Sequence, residues 1–122
     1  MPRMKENKAR EHRIEMEVVV DAYNSEERAM GWYYYLEERL KFPFKARCTS
    51  KLEISLLRVG EDVDVIGMAP EEECESEMFV RVRWGGRRLA VPLSQLKPLG
   101  ADATTREAVA DWHYWVERGY QF

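Results

Sequence analysis

The chain has 122 residues, 45% of them hydrophobic and 34% charged, and a net charge of −3. That length supports one core, and the apolar fraction is too high for a disordered acidic polypeptide. No run approaches the ~18 apolar residues of a membrane span, the first residues lack a signal peptide's apolar stretch, and two cysteines, Cys48 and Cys74, make no disulfide framework; the expectation is a cytoplasmic protein without a membrane partner.

Residues 1–13 carry five basic and two acidic side chains, +3 in all, with no apolar periodicity, and are expected to form a flexible basic arm ahead of one domain, 14–122. The rest of the chain carries −6. Ile14 to Val20 alternates briefly and ends in three valines, which favours a strand, while Ile14, Val18 and Val19 also fit one helix face; the two readings stay open. Asn24, followed by Ser25, Glu26 and Glu27, starts a helix: its side chain suits the orphan amides of the first turn, and the glutamates suit the positive end of the dipole. Ala29, Trp32, Tyr33, Leu36 and Leu40 recur at helical spacing, and Phe42-Pro43-Phe44 ends the run. Short strands follow at 45–49, 62–68 and 78–84, the last alternating Met78, Val80, Val82 and Trp84 on one face. Gly85-Gly86 supplies a two-residue hairpin turn, Arg87 to Pro92 returns, and Leu93 to Leu96 forms a single helical turn. Thr104 to Glu107 reads as a capping box for a last helix, with Val109, Trp112, Trp115 and Val116 inward and Gly119 as its stop. The predicted fold is α+β: a small SH3-like antiparallel β-barrel flanked by an N-terminal aromatic-rich helix and a C-terminal helix.

Between Glu61 and Glu77 stand Glu61, Asp62, Asp64, Glu71, Glu72, Glu73, Glu75 and Glu77, with no Lys or Arg among them. Such a block repels itself unless it is solvated or neutralised by a cation. Carboxylates this dense suit Ca²⁺, which takes six to eight oxygens in irregular geometry, and Ala69-Pro70 stiffens the approach to the glutamates. Asp62, Asp64, Gly67 and Glu73 fall on positions of an EF-hand loop, but Ile66 stands where that loop needs an oxygen, and the flanks alternate as strands. A non-EF-hand design is expected. His12, His113, Cys48 and Cys74 lack the close partners of a transition-metal site. No nucleophile elbow, catalytic triad order or phosphate loop is present, so no enzyme is predicted.

A second reading rests on Arg81, Arg83, Arg87 and Arg88 around Trp84. Basic residues interleaved with an aromatic on a small barrel can bind nucleic acid or an acidic partner. Against it, the adjoining glutamates repel phosphates, and pairing of these arginines with nearby carboxylates is the expected arrangement.

Val20-Asp21-Ala22-Tyr23, Glu26 to Glu37 with its Gly31-Trp32-Tyr33-Tyr34-Tyr35 centre, Phe42-Pro43-Phe44, Gly67 to Glu75, Val91 to Leu96 and Asp111 to Trp115 together resemble the small, cyanobacterial-type calcium-binding proteins, CcbP-like, over residues 14–122. The resemblance implies a bacterial, cytosolic protein that binds Ca²⁺ through surface carboxylates and buffers or sequesters it; it names no protein partner. The first candidate ligands are Glu71, Glu72, Glu73 and Glu75, where composition and resemblance agree. Glu37 and Glu38, at the end of the aromatic helix, come next, then Asp21, whose competing role is a turn residue. Asp111 and Glu117 are weaker, being read as helical carboxylates on a solvated face.

Overall fold

The undecided segment after the basic arm is helical. The computed structural model describes residues 6–122, and in it Asn7 caps helix α1, Lys8–Arg13, by accepting from the Arg10 amide at 3.0 Å. The helix continues as a π-helical stretch, Ile14–Val18, closed by the Val19 amide on the Ile14 carbonyl at 3.0 Å. The expected flexible arm thus departs from the structure from Lys8 onward, and its earlier part, 1–5, lies outside the described residues. Asp21, at φ 58°, turns the chain into α2, Ser25–Arg39, where Asn24 accepts from the Glu27 amide at 2.8 Å as the sequence implies. Gly31 admits a close approach there: a Cβ on it would stand 2.2 Å from the Val18 carbonyl oxygen. The π-helical stretch therefore lies directly on the backbone of α2.

After the cis Phe42–Pro43 bond come β1, Phe44–Cys48; β2, Asp62–Met68; β3, Phe79–Trp84; β4, Arg87–Pro92; and β5, Leu96–Leu99. Glu71–Cys74 and Leu93–Gln95 form 3₁₀ turns. All pairings are antiparallel, in the order β4-β3-β2-β1-β5, with Gly85 and Gly86 at positive φ in the predicted hairpin turn. The edges β4 and β5 do not pair with each other, so the sheet is open where a closed barrel was expected. Pro92 ends β4 without an N–H to extend a ladder, and β5 has only four residues, one of them Pro98. β5 is a strand that the sequence pattern does not announce.

Helices α2 and α3, Ala103–Glu117, cover one face of the sheet. Trp32 of α2 and Trp112 of α3 meet edge to face at 5.0 Å, over Val65, Met78, Val80 and Leu93, all buried. The cap of α3 is Asp102, accepting from the Thr105 amide at 2.8 Å, instead of Thr104. Thr105 is buried, and its hydroxyl accepts from the Lys41 amide at 3.0 Å. Val116, expected inward, is exposed, whereas Asp111, expected in solvent, is completely buried. Its Oδ1 accepts from Arg10 Nη1 at 2.6 Å and Arg13 Nη2 at 2.7 Å; its Oδ2 accepts from Arg13 Nε at 3.0 Å and the Tyr35 hydroxyl at 2.6 Å. Asp111 is therefore a structural carboxylate, and it is the reason that residues 8–13 are held down: two arginines of the arm neutralise it.

No helix among the described residues is long and apolar enough to cross a membrane. Replacing the buried carboxylate by an amide, Asp111→Asn, is expected to cost roughly 3 kcal/mol in urea unfolding and to release the α1 amides to fast hydrogen exchange. An unchanged unfolding midpoint would contradict this role for Asp111.

Candidate metal centre

The eight carboxylates from Glu61 to Glu77 separate into groups with different fates. Glu61 accepts from the Arg58 amide at 2.6 Å and the Trp84 indole at 3.1 Å, and these donors pull its carboxyl below the usual range. Asp62 pairs with Arg47 at 2.8 Å and Asp64 with Lys45 at 3.4 Å, each across the β1–β2 ladder. Glu77 is half-buried, and burial pushes its carboxyl up. Glu71, Glu72, Glu73 and Glu75 remain exposed on the turn between β2 and β3.

That turn is fixed from three sides. The Ala69 amide donates to the Phe79 carbonyl at 3.1 Å, and the Glu73 amide to the Pro70 carbonyl at 2.9 Å. The buried Cys74 thiol accepts from the Phe79 amide at 3.4 Å, and burial pushes its pKa up, so it serves as a pin and not as a thiolate ligand. From α2, the Tyr33 hydroxyl donates to the Ala69 carbonyl at 2.8 Å, and the Tyr34 hydroxyl to Glu71 Oε2 at 3.1 Å.

Between the turn and the first half of α2 lies a cleft of about 630 Å³ lined by Ser25, Glu26, Ala29, Met30, Tyr33, Glu71, Glu72, Cys74 and Glu75. Four carboxylates face it and no Lys or Arg does. The negative field is visible at Tyr33, whose phenol is pushed up first by burial, then by Glu37, Cys74, Glu71 and Glu72. Three of the first four candidates, Glu71, Glu72 and Glu75, are thus brought together, while Glu73 lies on the same turn outside the lining. Glu37 lies one turn beyond Tyr33 and acts on its hydroxyl electrostatically. Glu38 and Asp21 are exposed and do not line the cleft; Asp21 occupies the left-handed turn that was its competing role. Glu117 is exposed on α3, away from these residues.

Glu26 is the carboxylate that sequence reasoning missed. It was assigned to the helix dipole, yet Glu26, Met30, Tyr33 and Glu37 recur at the spacing of one helical face, and that pattern was available. The donor set is all oxygen, as a hard cation wants. Among the described residues no three Asp, Glu, His or Cys side chains converge closely enough to hold an ion as they stand. The carboxylates would have to be drawn inward, at a cost in side-chain entropy.

The chain belongs to a calcium-binding family: the CcbP family model, described as calcium binding, matches residues 12–116. The crystal structure of Anabaena CcbP is 44% identical, covers 100% of both chains and superposes with a TM-score of 0.88. A second structure, of a calcium binding protein in the calcium-binding form, is 43% identical over 100% of both chains, with a TM-score of 0.87. No curated protein matches the chain. This is a calcium-binding family and not an enzyme family, and its ion is the one expected from the sequence.

Neutralising the cleft would remove the Coulombic part of the Tyr33 shift. Adding Ca²⁺ is expected to lower the Tyr33 pKa, followed by NMR of its Cζ, and to leave Tyr35, held by burial and Asp111, unmoved. A Tyr33 titration that ignores Ca²⁺ would place the ion elsewhere.

Proposed function

We propose that this chain binds Ca²⁺ in the cleft between α2 and the Glu71–Cys74 turn, through Glu71, Glu72, Glu75 and Glu26, without an EF-hand, and that it buffers cytoplasmic calcium. The observation that carries this is the set of four carboxylates facing one cleft with no basic side chain in its lining. Membership in a calcium-binding family supports the ion, and likeness to a structure in the calcium-binding form supports this fold as its carrier. Glu37 adds negative potential through Tyr33 and closes the set, and Glu73 stands as an outer carboxylate on the same turn. Asp21 and Glu38 would serve a separate, weaker site.

Buffering suits the openness of the cleft. Side chains that must be ordered on binding lower affinity and leave the ion exchangeable, while Mg²⁺, which demands compact octahedral geometry, competes poorly. Two unpaired buried cysteines support a reducing, cytoplasmic setting. The order β4-β3-β2-β1-β5, with a single 3₁₀ turn between β4 and β5, supports regarding the sheet as an SH3-like barrel left open at one seam.

Calorimetry on chelator-cleared protein tests the site. Glu71→Gln, Glu72→Gln and Glu75→Gln combined are expected to weaken Ca²⁺ binding at least tenfold, about 1.4 kcal/mol, whereas Asp21→Asn with Glu38→Gln leaves the principal binding heat in place. The reverse ranking would overturn the assignment.

A further inference from the structure

A second cavity, of about 690 Å³, lies between α1, the edge strand β5 and one face of α3. It shares no lining residue with the acidic cleft at α2. Its volume falls within the roughly 300–1,000 Å³ of small-molecule sites. Arg106, Val109, Ala110, His113, Tyr114 and Glu117 recur at three- and four-residue steps, so one face of α3 forms the floor. Both walls are tied to that floor. The Tyr114 hydroxyl accepts from the Asn7 amide at 2.9 Å on the α1 side, and His113 Nε2 donates to the Leu96 carbonyl at 2.7 Å on the β5 side.

Charge is sorted along the floor. Arg106 lies in the first turn of α3 and Glu117 is its last residue. They stand about 16 Å apart along the axis, twice the screening length of about 8 Å at physiological salt. Between them Val109 and Ala110 offer only aliphatic carbon, and burial pushes the His113 pKa down, so its ring is neutral. Lys97, on the β5 wall, lies on the stretch that runs from Leu96, held by His113, to the start of α3. Glu6 lines the other end, 3.9 Å from Arg118.

Neither end of the floor is answered within the chain. Arg106 and Glu117 make no ion pair or side-chain hydrogen bond among the described residues. The charges near them are committed elsewhere. Asp102, one turn before Arg106, holds the Thr105 amide and stands 3.3 Å from Lys41. Glu107 pairs with Arg13, and Arg10 with Asp111. A helix dipole favours carboxylates at its start and cations at its end, so Arg106 and Glu117 each sit at the unfavourable terminus. A ligand carboxylate at Arg106 and a ligand ammonium at Glu117 would relieve both.

We propose that this cavity binds a short apolar peptide with free ends, its carboxylate on Arg106, its ammonium on Glu117 and its side chains over Val109 and Ala110. A free amino acid carries both charges on one carbon and cannot reach both ends, and a purely anionic or cationic molecule leaves one end unanswered. An extended tripeptide spans about 10 Å, and the reach of the arginine and glutamate side chains closes the remaining distance. The site needs no calcium, so the proposal stands apart from the one above.

Calorimetry with trileucine, its N-acetyl form and its C-terminal amide, on the full chain in chelator, tests it. Trileucine is expected to bind, and each blocked form to bind at least tenfold more weakly. Arg106→Gln is expected to lose the preference over the amide while keeping that over the acetyl form, and Glu117→Gln to do the reverse. Both side chains are exposed, so neither variant is expected to alter the circular dichroism spectrum or the calcium calorimetry. Equal affinity for the three forms would reduce the effect to apolar contact and overturn the proposal. So would an absence of binding at millimolar trileucine, or binding that appears only after residues 2–5 are deleted, which would assign the cavity to the start of this chain.

Discussion

Helix α3 carries one carboxylate with no access to water, and the helical layer is organised around satisfying it. A buried charge is tolerated only when its lone pairs are all answered, and Asp111 accepts four hydrogen bonds, two on each oxygen. The donors come from two other elements: Arg10 and Arg13 from α1, and Tyr35 from α2. The Asp111 hydrogen bond and charge keep Arg13 protonated, while burial, then Asp111, keeps the Tyr35 phenol protonated as a donor. Three helices are tied at one point, and the π-helical stretch beyond Arg13 is set against the bare backbone at Gly31.

The orientation of α2 that follows from this tie is what builds the cleft. Successive helical residues project about 100° apart, so Tyr33, Tyr34 and Tyr35 are sent in three directions. Tyr35 goes to Asp111; Tyr33 goes to the Ala69 carbonyl, and Tyr34 to Glu71. One side of the triplet anchors the helix and the other holds the acidic turn against it. Glu26 and Glu37, on the Tyr33 side, then add their field to that of Glu71 and Glu72. The turn is held by its backbone and by the Tyr34–Glu71 hydrogen bond, and on the proposed reading its carboxylates gather around an ion and let it go.

Much of this was legible in the sequence, for physical reasons that differ by element. Helix α2 announced itself through Asn24 and a strong apolar period, and the β3–β4 hairpin through alternation and Gly85-Gly86. Composition marked the acidic run from Glu71 to Glu75, but which of its carboxylates share a cleft depends on the packing of α2 against the turn and was not legible. Asp111 was misread because periodicity assigns a helical carboxylate to solvent, and its partners lie 98 and 101 residues away in sequence. With Asp111 misplaced, the arm had no reason to be ordered. β5 was hidden because Lys97 and Pro98 break any alternation, and only pairing with β1 makes it a strand. The eight-carboxylate block also proved less uniform than its composition implied: Glu61, Asp62 and Asp64 have partners from distant segments, which leaves the uncompensated charge on the Glu71–Glu75 turn.

A crystal of this chain grown with Ca²⁺ would decide most directly whether that turn and α2 together hold the ion. The expected result is calcium in the cleft, with carboxylate oxygens of Glu71, Glu72, Glu75 and Glu26 at about 2.3–2.6 Å and the side chains drawn inward from their present positions. Calcium held instead by Asp21 or Glu38, with the α2 cleft unchanged, would contradict it.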